Sequence, residues 1–357
     1  MSHTATVVHM RRAIDDDWLG GPRPPHIAAP AFTVAPNGVP GLREGVQGLM
    51  GRVFGERSGI ADADPDPGLC GPASPSWRII AEPAAIAGGV RALLLQTLHP
   101  LAMAGVAAHS RYRDDPLARL RSTSAWVTIS TFGTTAQVLE AARRVRRAHR
   151  AVHGRAPDGR PYRAGDPSLL TWVSIALTSS FLAADHLWAP RPVDRRQADR
   201  FVAEQSRLAA LLDERLDLDA LRADPDAGDA LRAGRVDLPL LDHLPRTVDE
   251  LIATLDGLEP ELRGGEQARA AIRFLRWPPL PGLIRAAYLP LFAGAAGALG
   301  RWQRGLLGLP TGTVAARAAV ANAGTVLATL RSTVGRSPAY DAATRRTTAS
   351  DPLAPTH

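Results

Sequence analysis

The sequence predicts an all-α protein, and three observations carry that reading. After Ser76 apolar residues recur three and four positions apart through most of the chain, the spacing that lines one side of an α-helix. The alternation of a half-buried strand is scarce. Helix-start signals stand before the apolar runs, as at Asp115-Pro116, Asp166-Pro167 and Thr247. No internal repeat of about 20 to 50 residues is visible, so one large multi-helix domain is expected rather than a solenoid.

Taken in order, residues 1–75 form a Pro/Gly-rich lead-in with room for one helix over 38–54, closing in the loop-like run ADADPDPGLCGPASP. Helices follow over 83–98 and from Asp115 to about Thr131. Thr134 or Thr135 caps the next helix, which covers 137–153 and stops at Gly154. Residues 156–167 read as a loop, and Asp166-Pro167 opens a helix to 184. An amphipathic helix covers 194–212, and 213–243 is an acidic insertion broken by Pro and Gly. Helices at 248–255, 265–276 and 280–300 complete a domain of residues 76–309. Residues 310–357 are expected to hold a C-terminal helix and, after about Ser337, a flexible tail.

The bulk composition narrows the function classes. With 45% hydrophobic and 22% charged residues over 357 positions, the chain is globular. Cys70 is the only cysteine, which excludes a disulfide framework and a cysteine-held zinc or iron–sulfur site, and fits a reducing cytoplasm. All 42 basic residues are arginine, a bias that goes with the abundance of Ala, Gly and Pro and is assigned no function. A net charge of +7 permits nucleic-acid or anionic-membrane contact. The arginines are spread along the chain, however, and no aromatic-interleaved basic motif or zinc-finger spacing is present, so nucleic acid is not the expected partner.

Arg11-Arg12 is followed by Asp15, Asp16 and Asp17 where an export signal needs an apolar run, so a cytoplasmic location is expected. The longest uncharged stretches, 92–110, 167–184 and 286–300, are interrupted by His99-Pro100, by serines and threonines, and by Pro290. They read as buried core helices rather than membrane spans. Peripheral membrane contact stays open.

The candidate site begins at His149. Val138, Ala142, Val145, His149 and Val152 fall on one side of the 137–153 helix, while Arg143, Arg144, Arg146, Arg147 and Arg150 are expected to point away. A neutral imidazole in an apolar wall is a natural ligand for a metal or haem iron. The alternative is a core histidine hydrogen-bonded to a carbonyl. His153, four residues on, pairs with it as a two-histidine arrangement or replaces it as ligand.

In the preceding helix Arg119 and Thr123 share one side, beside the stripe Leu117, Leu120, Ser124 and Val127 that Trp126 extends. An arginine there suits a carboxylate and the threonine hydroxyl suits a bound ligand. The alternative is a snorkelling Arg and an ordinary back-bonded Thr. His99 and His109 are two further candidates for lining a site, or else helix-end partners. No Gly-rich phosphate loop, G-x-S-x-G elbow or H-E-x-x-H run is present.

The segments GVRALLLQTLHP, AGVAAHS, DPLARLRST, FGTTAQV, VRRAHRAVHG and DGRPYRAGDPSLLTWV, with FVAEQ around Glu204 and LPRT at Leu244, occur in one order over about 76–309. Together they resemble the MpaB/latex-clearing rubber oxygenase family, much of it bacterial. The resemblance implies an all-α fold enclosing one haem b between helices. His149, in R-x-x-H-x-x-V-x-G, matches the family's proximal iron ligand, and Arg119 and Thr123 match its Arg-x-x-x-Thr pair.

The implied function is a haem b-dependent oxygenase that uses O₂ on a hydrophobic, isoprenoid or lipid-like small molecule, with the redox partner left open. Ser122 stands where rubber oxygenases have lysine, and Ser174 where many relatives have histidine. Between Glu82 and Arg119 only Asp114 and Asp115 are acidic, so the family's proposed glutamate base has no counterpart. These departures turn the expectation from rubber to a smaller apolar substrate. They also keep a haem-binding sensor and a peroxidase-like enzyme as alternatives.

Overall fold

The computed structural model describes residues 59–60, 64–109, 116–280 and 282–348, and for 116–120 and 283 the backbone alone. The expected helix over 38–54 lies outside the described residues. Among the described residues are fifteen α-helices, two short 3-10 helices and one two-stranded hairpin, so the protein is a single all-α domain.

Two long apolar helices form the centre: α2 (Ala84–Gln96) and α6 (Pro167–Trp188) lie side by side. Gly88 makes that approach possible, since a Cβ there would stand 2.9 Å from Phe181 and 3.1 Å from the Ser180 carbonyl. In front of α2, α1 (Pro75–Ala81) is capped by the Ser74 hydroxyl, which accepts from the Trp77 N–H. On the far side of α2 lies α12 (Gly282–Gly297), and α14 (Thr313–Val334) packs on α12. Here too glycine sets the spacing, for a Cβ on Gly294 would meet Ala323 at 2.3 Å.

Two neighbours in contact form the second block: α4 (Pro116–Phe132) and α5 (Thr135–Arg150). α5 opens with a reciprocal cap between Thr134 and Gln137. An aromatic triad joins this block to the core. Trp77, Phe132 and Tyr340 meet edge to face at 5.5 to 6.2 Å between ring centres, binding α1, α4 and α15 (Pro338–Thr348).

The short α3 (Pro100–His109) follows α2, and α7 (Arg195–Ala210) packs across α6 and α1. α8 (Leu218–Ala223) and α9 (Ala227–Arg232) occupy the acidic insertion. α10 (Val248–Leu258), α11 (Glu266–Arg276) and α13 (Arg301–Leu306) complete the order.

Three expectations are corrected. The α5 helix ends at Arg150, and His153–Arg155 and Pro161–Arg163 pair as an antiparallel hairpin, β1 and β2, where helix and loop were expected. Its tip is Gly159 at φ 84°, a turn the periodicity did not reveal. The acidic insertion is core: Leu216, Leu218, Leu231, Leu238 and Leu240 bury against Val138, Leu139 and Ala142 of α5. The chain beyond Ser337 is a packed helix through Thr348, with Ala343 and Arg346 buried.

The expected C-terminal helix is α14, an apolar 22-residue helix long enough to cross a membrane, yet only 17% of its apolar window is buried. Its sequence did not stand out as an uncharged stretch because Arg317, Asn322 and Arg331 interrupt it. α6, of the same length, is 78% buried, as expected for a core helix.

Gly294→Val is expected to force α12 and α14 apart and to cost about 1–3 kcal/mol in a urea or thermal unfolding curve. Gly257→Ala, inside α10 with nothing within 4 Å of the new Cβ, is expected to stabilise by about 0.4–1 kcal/mol.

Candidate functional site

α5 carries the candidate ligand, and its rotation differs from the one its spacing predicts. The buried side of α5 is Thr135, Val138, Leu139, Ala141, Ala142 and Arg146. Arg146 therefore points inward, not outward. Its Nε donates to the Leu211 carbonyl at 2.9 Å and its Nη1 to that of Leu216 at 2.7 Å. Both acceptors lie at and just beyond the C-terminus of α7, where carbonyls lack helical partners. With position 146 turned in, Val145 and His149 move to the edge of the buried face and are half-buried.

His149 opens on a small hollow of about 50 Å³, lined also by Val152, His153, Arg163, Asp166 and the Arg150–Glu214 ion pair. The wall around the imidazole is thus polar, not the apolar wall that the stripe predicts. His153 lines the same hollow from strand β1, so the two imidazoles do not share one helix side. Among the described residues no three His, Cys, Asp or Glu side chains converge as a metal site.

The hairpin after α5 is stapled to α3. Tyr162 is buried against two glycines: a Cβ on Gly105 would meet its ring at 3.5 Å, and one on Gly154 would meet its hydroxyl at 2.9 Å. His109 Nε2 lies 3.0 Å from the His153 carbonyl. A carbonyl only accepts, so this nitrogen carries the hydrogen in either charge state of the ring. His109 therefore serves as a tether between α3 and β1, and the chain on both sides of His149 is held in place.

His99 is buried three residues beyond α2, just before α3. Its Nδ1 accepts from the Ala102 N–H at 3.4 Å, its Nε2 lies 3.6 Å from a Glu261 oxygen, and its ring packs on Trp172 at 5.6 Å. Burial lowers its pKa, and Glu261 opposes that shift.

On α4, Thr123 and Trp126 are half-buried, and Trp126 packs against the cluster of Leu170, Val138 and Leu139. Arg119 lies on α4, but its side chain falls outside the described residues. Every residue of α4 from Arg121 to Ile129 is half-buried or exposed, although the helix packs on α5, α1 and α15.

Sequence reasoning missed a polar file on α6. Thr171, Ser174 and Thr178 are spaced three and four apart and all buried. The Thr171 hydroxyl and the Gln96 amide nitrogen at the end of α2 are both buried without a hydrogen-bond partner. The signal was present as three hydroxyl residues on one side of an otherwise apolar helix.

The model of one protein family, described as ER-bound oxygenase mpaB/B'/Rubber oxygenase, catalytic domain, matches residues 77–331. No curated protein and no solved structure matches the chain.

Two outcomes are expected. The folded state disfavours the charged form of His99, so its contribution to stability is complete above the ordinary histidine pKa of about 6.5 and is lost as pH falls through the lowered folded value. His99→Gln should flatten that part of a stability–pH curve. Gly154→Val should push Tyr162 off β1 and cost about 1–3 kcal/mol on unfolding, whereas Gly159→Asn at the hairpin tip should stay within about 0.5 kcal/mol.

Proposed function

The chain belongs to the mpaB/rubber oxygenase catalytic-domain family, and from that membership we propose a haem b-dependent oxygenase acting on a hydrophobic, isoprenoid or lipid-like small molecule. The observation that carries the reading is the family match over residues 77–331, which supports oxygenase chemistry with O₂ and a substrate.

Three features of the described residues fit a haem. His149 is half-buried in the last turn of α5 rather than sealed in the core. Thr171 and Gln96 hold buried polar atoms without partners, which suits a group with polar edges. α4 presents Thr123 and Trp126 half-covered along its length.

When bound, haem iron would supply oxygen activation. His149 would hold the iron through one ring nitrogen, with Asp166 and Glu214, in the same hollow, as acceptors that fix the ring's tautomer. The C-terminal end of α5 lies at this residue, and the negative end of the helix dipole favours positive charge there. Arg119 would pair with a propionate, Thr123 would hydrogen-bond beside it, and Trp126 would form part of the wall. Apolar side chains would take the substrate largely by burial. No carboxylate of the chain is assigned as a base, and Ser122 stands where rubber oxygenases have lysine.

Oxygen uptake by haem-reconstituted protein with a prenyl lipid tests this reading. We expect substrate-dependent consumption that falls about tenfold or more in Thr123→Val while bound haem is retained, within the range of a lost transition-state hydrogen bond. Haem binding without uptake would favour the sensor alternative, and turnover only with peroxide the peroxidase-like one.

A further inference from the structure

Arginine is spread evenly through the sequence, but acid is not. Between Glu266 and Asp341 there is no Asp or Glu, while the same stretch holds nine of the 42 arginines. It therefore carries more than the whole formal surplus of +7.

The structure sorts these nine. Arg331 pairs with Glu82 at 2.8 Å. Arg304 and Arg285 donate to carbonyls, Arg269 donates to Gly264 O, and Arg336 meets Tyr340. Arg273, Arg276, Arg301 and Arg317 are exposed. The same layer carries three large exposed apolar side chains: Trp277 at 57%, Trp302 at 43% and Val314 at 84%.

Helices α11 to α14 form one continuous layer. Gly264 packs against the backbone of Leu306, joining the start of α11 to the end of α13. The Tyr288 hydroxyl of α12 donates to the Leu275 carbonyl in the last turn of α11. Arg304 of α13 clasps Gly297 O at the end of α12 and Thr311 O before α14. α11 itself is two-faced, with Ala268, Ala271 and Ile272 buried and Arg269, Arg273, Arg276 and Trp277 exposed.

We propose that this α11–α14 layer docks on the surface of an anionic bilayer, with Trp277 and Trp302 entering the headgroup region and Arg273, Arg276, Arg301 and Arg317 over the lipid phosphates. Charge complementarity selects the occupant's sign, because Glu266 at the start of α11 is the single acid on these four helices. The exposed indoles select lipid over nucleic acid, since an indole gains from lying at the headgroup level of a membrane. The mostly uncovered apolar α14 extends the same layer. Such a surface would bring the protein to a phase where apolar substrates dissolve, but the inference stands apart from the haem reading and is tested without activity.

The test is vesicle flotation of the full chain, comparing zwitterionic phosphatidylcholine with vesicles enriched in phosphatidylglycerol. Capture by the anionic vesicles that weakens as salt rises is expected. Arg273→Glu with Arg276→Glu should weaken capture by about tenfold or more, and Trp277→Ala with Trp302→Ala should weaken it several-fold. Arg196→Glu with Arg235→Glu, the same charge change on exposed residues outside the layer, should leave it unchanged. All of these side chains are exposed, and matching thermal midpoints establish that each variant folds. No capture, equal capture by both vesicles, or equal loss in the control pair would overturn the proposal. So would binding of duplex DNA or RNA through the same arginines with no vesicle capture.

Discussion

Guanidinium groups that close the C-terminal ends of helices hold this fold together. The last carbonyls of a helix have no partner within it, and burying them bare is costly. Here Arg146 donates beyond the end of α7, Arg304 and Arg91 at the end of α12, Arg331 to the last residue of α6, and Arg346 to the last residue of α4. A guanidinium suits this task because it offers five donors in a rigid fork, and its charge is favoured at the negative end of the helix dipole. Burial pulls Arg91 down to about 10, so it remains charged at neutral pH. The case that matters for the site is Arg146. Its grip on the chain after α7 goes with a rotation of α5 that turns His149 to the edge of the core, beside the start of α6.

That rotation marks where sequence reasoning stopped. The helical period located α5 and its cap, but the choice between two overlapping faces depended on a partner distant in sequence. Val145 and His149 on one side and Arg146 on the other differ by a fraction of a turn. A rule that sends arginine outward picks the wrong side when two bare carbonyls lie within reach. The hairpin is similar. Tyr162 and Gly154 look like helix end and loop until Gly105 on α3 gives the ring a place to lie. The last helix, α15, was hidden because its sequence, polar and rich in Thr and Arg, buries chiefly through Tyr340, Ala343 and Arg346.

What was legible is the order of the central helices. The α2, α6 and α7 segments are apolar or strongly two-faced, and their caps, Asp166 and Asp194 among them, announce the starts. The family segments GVRALLLQTLHP to LLTWV fall on α2 through α6, with FVAEQ on α7 and LPRT before α10. The departures at Ser122 and Ser174 lie on α4 and α6.

The central claim is that His149 is the haem ligand, and the most direct measurement is the absorption spectrum of haem-reconstituted protein beside its His149→Ala and His153→Ala variants. The account predicts a Soret band and a histidine-ligated signature in the wild type, both kept in His153→Ala, with the signature lost in His149→Ala. An unchanged ligand signature in His149→Ala, or its loss in His153→Ala alone, would contradict it.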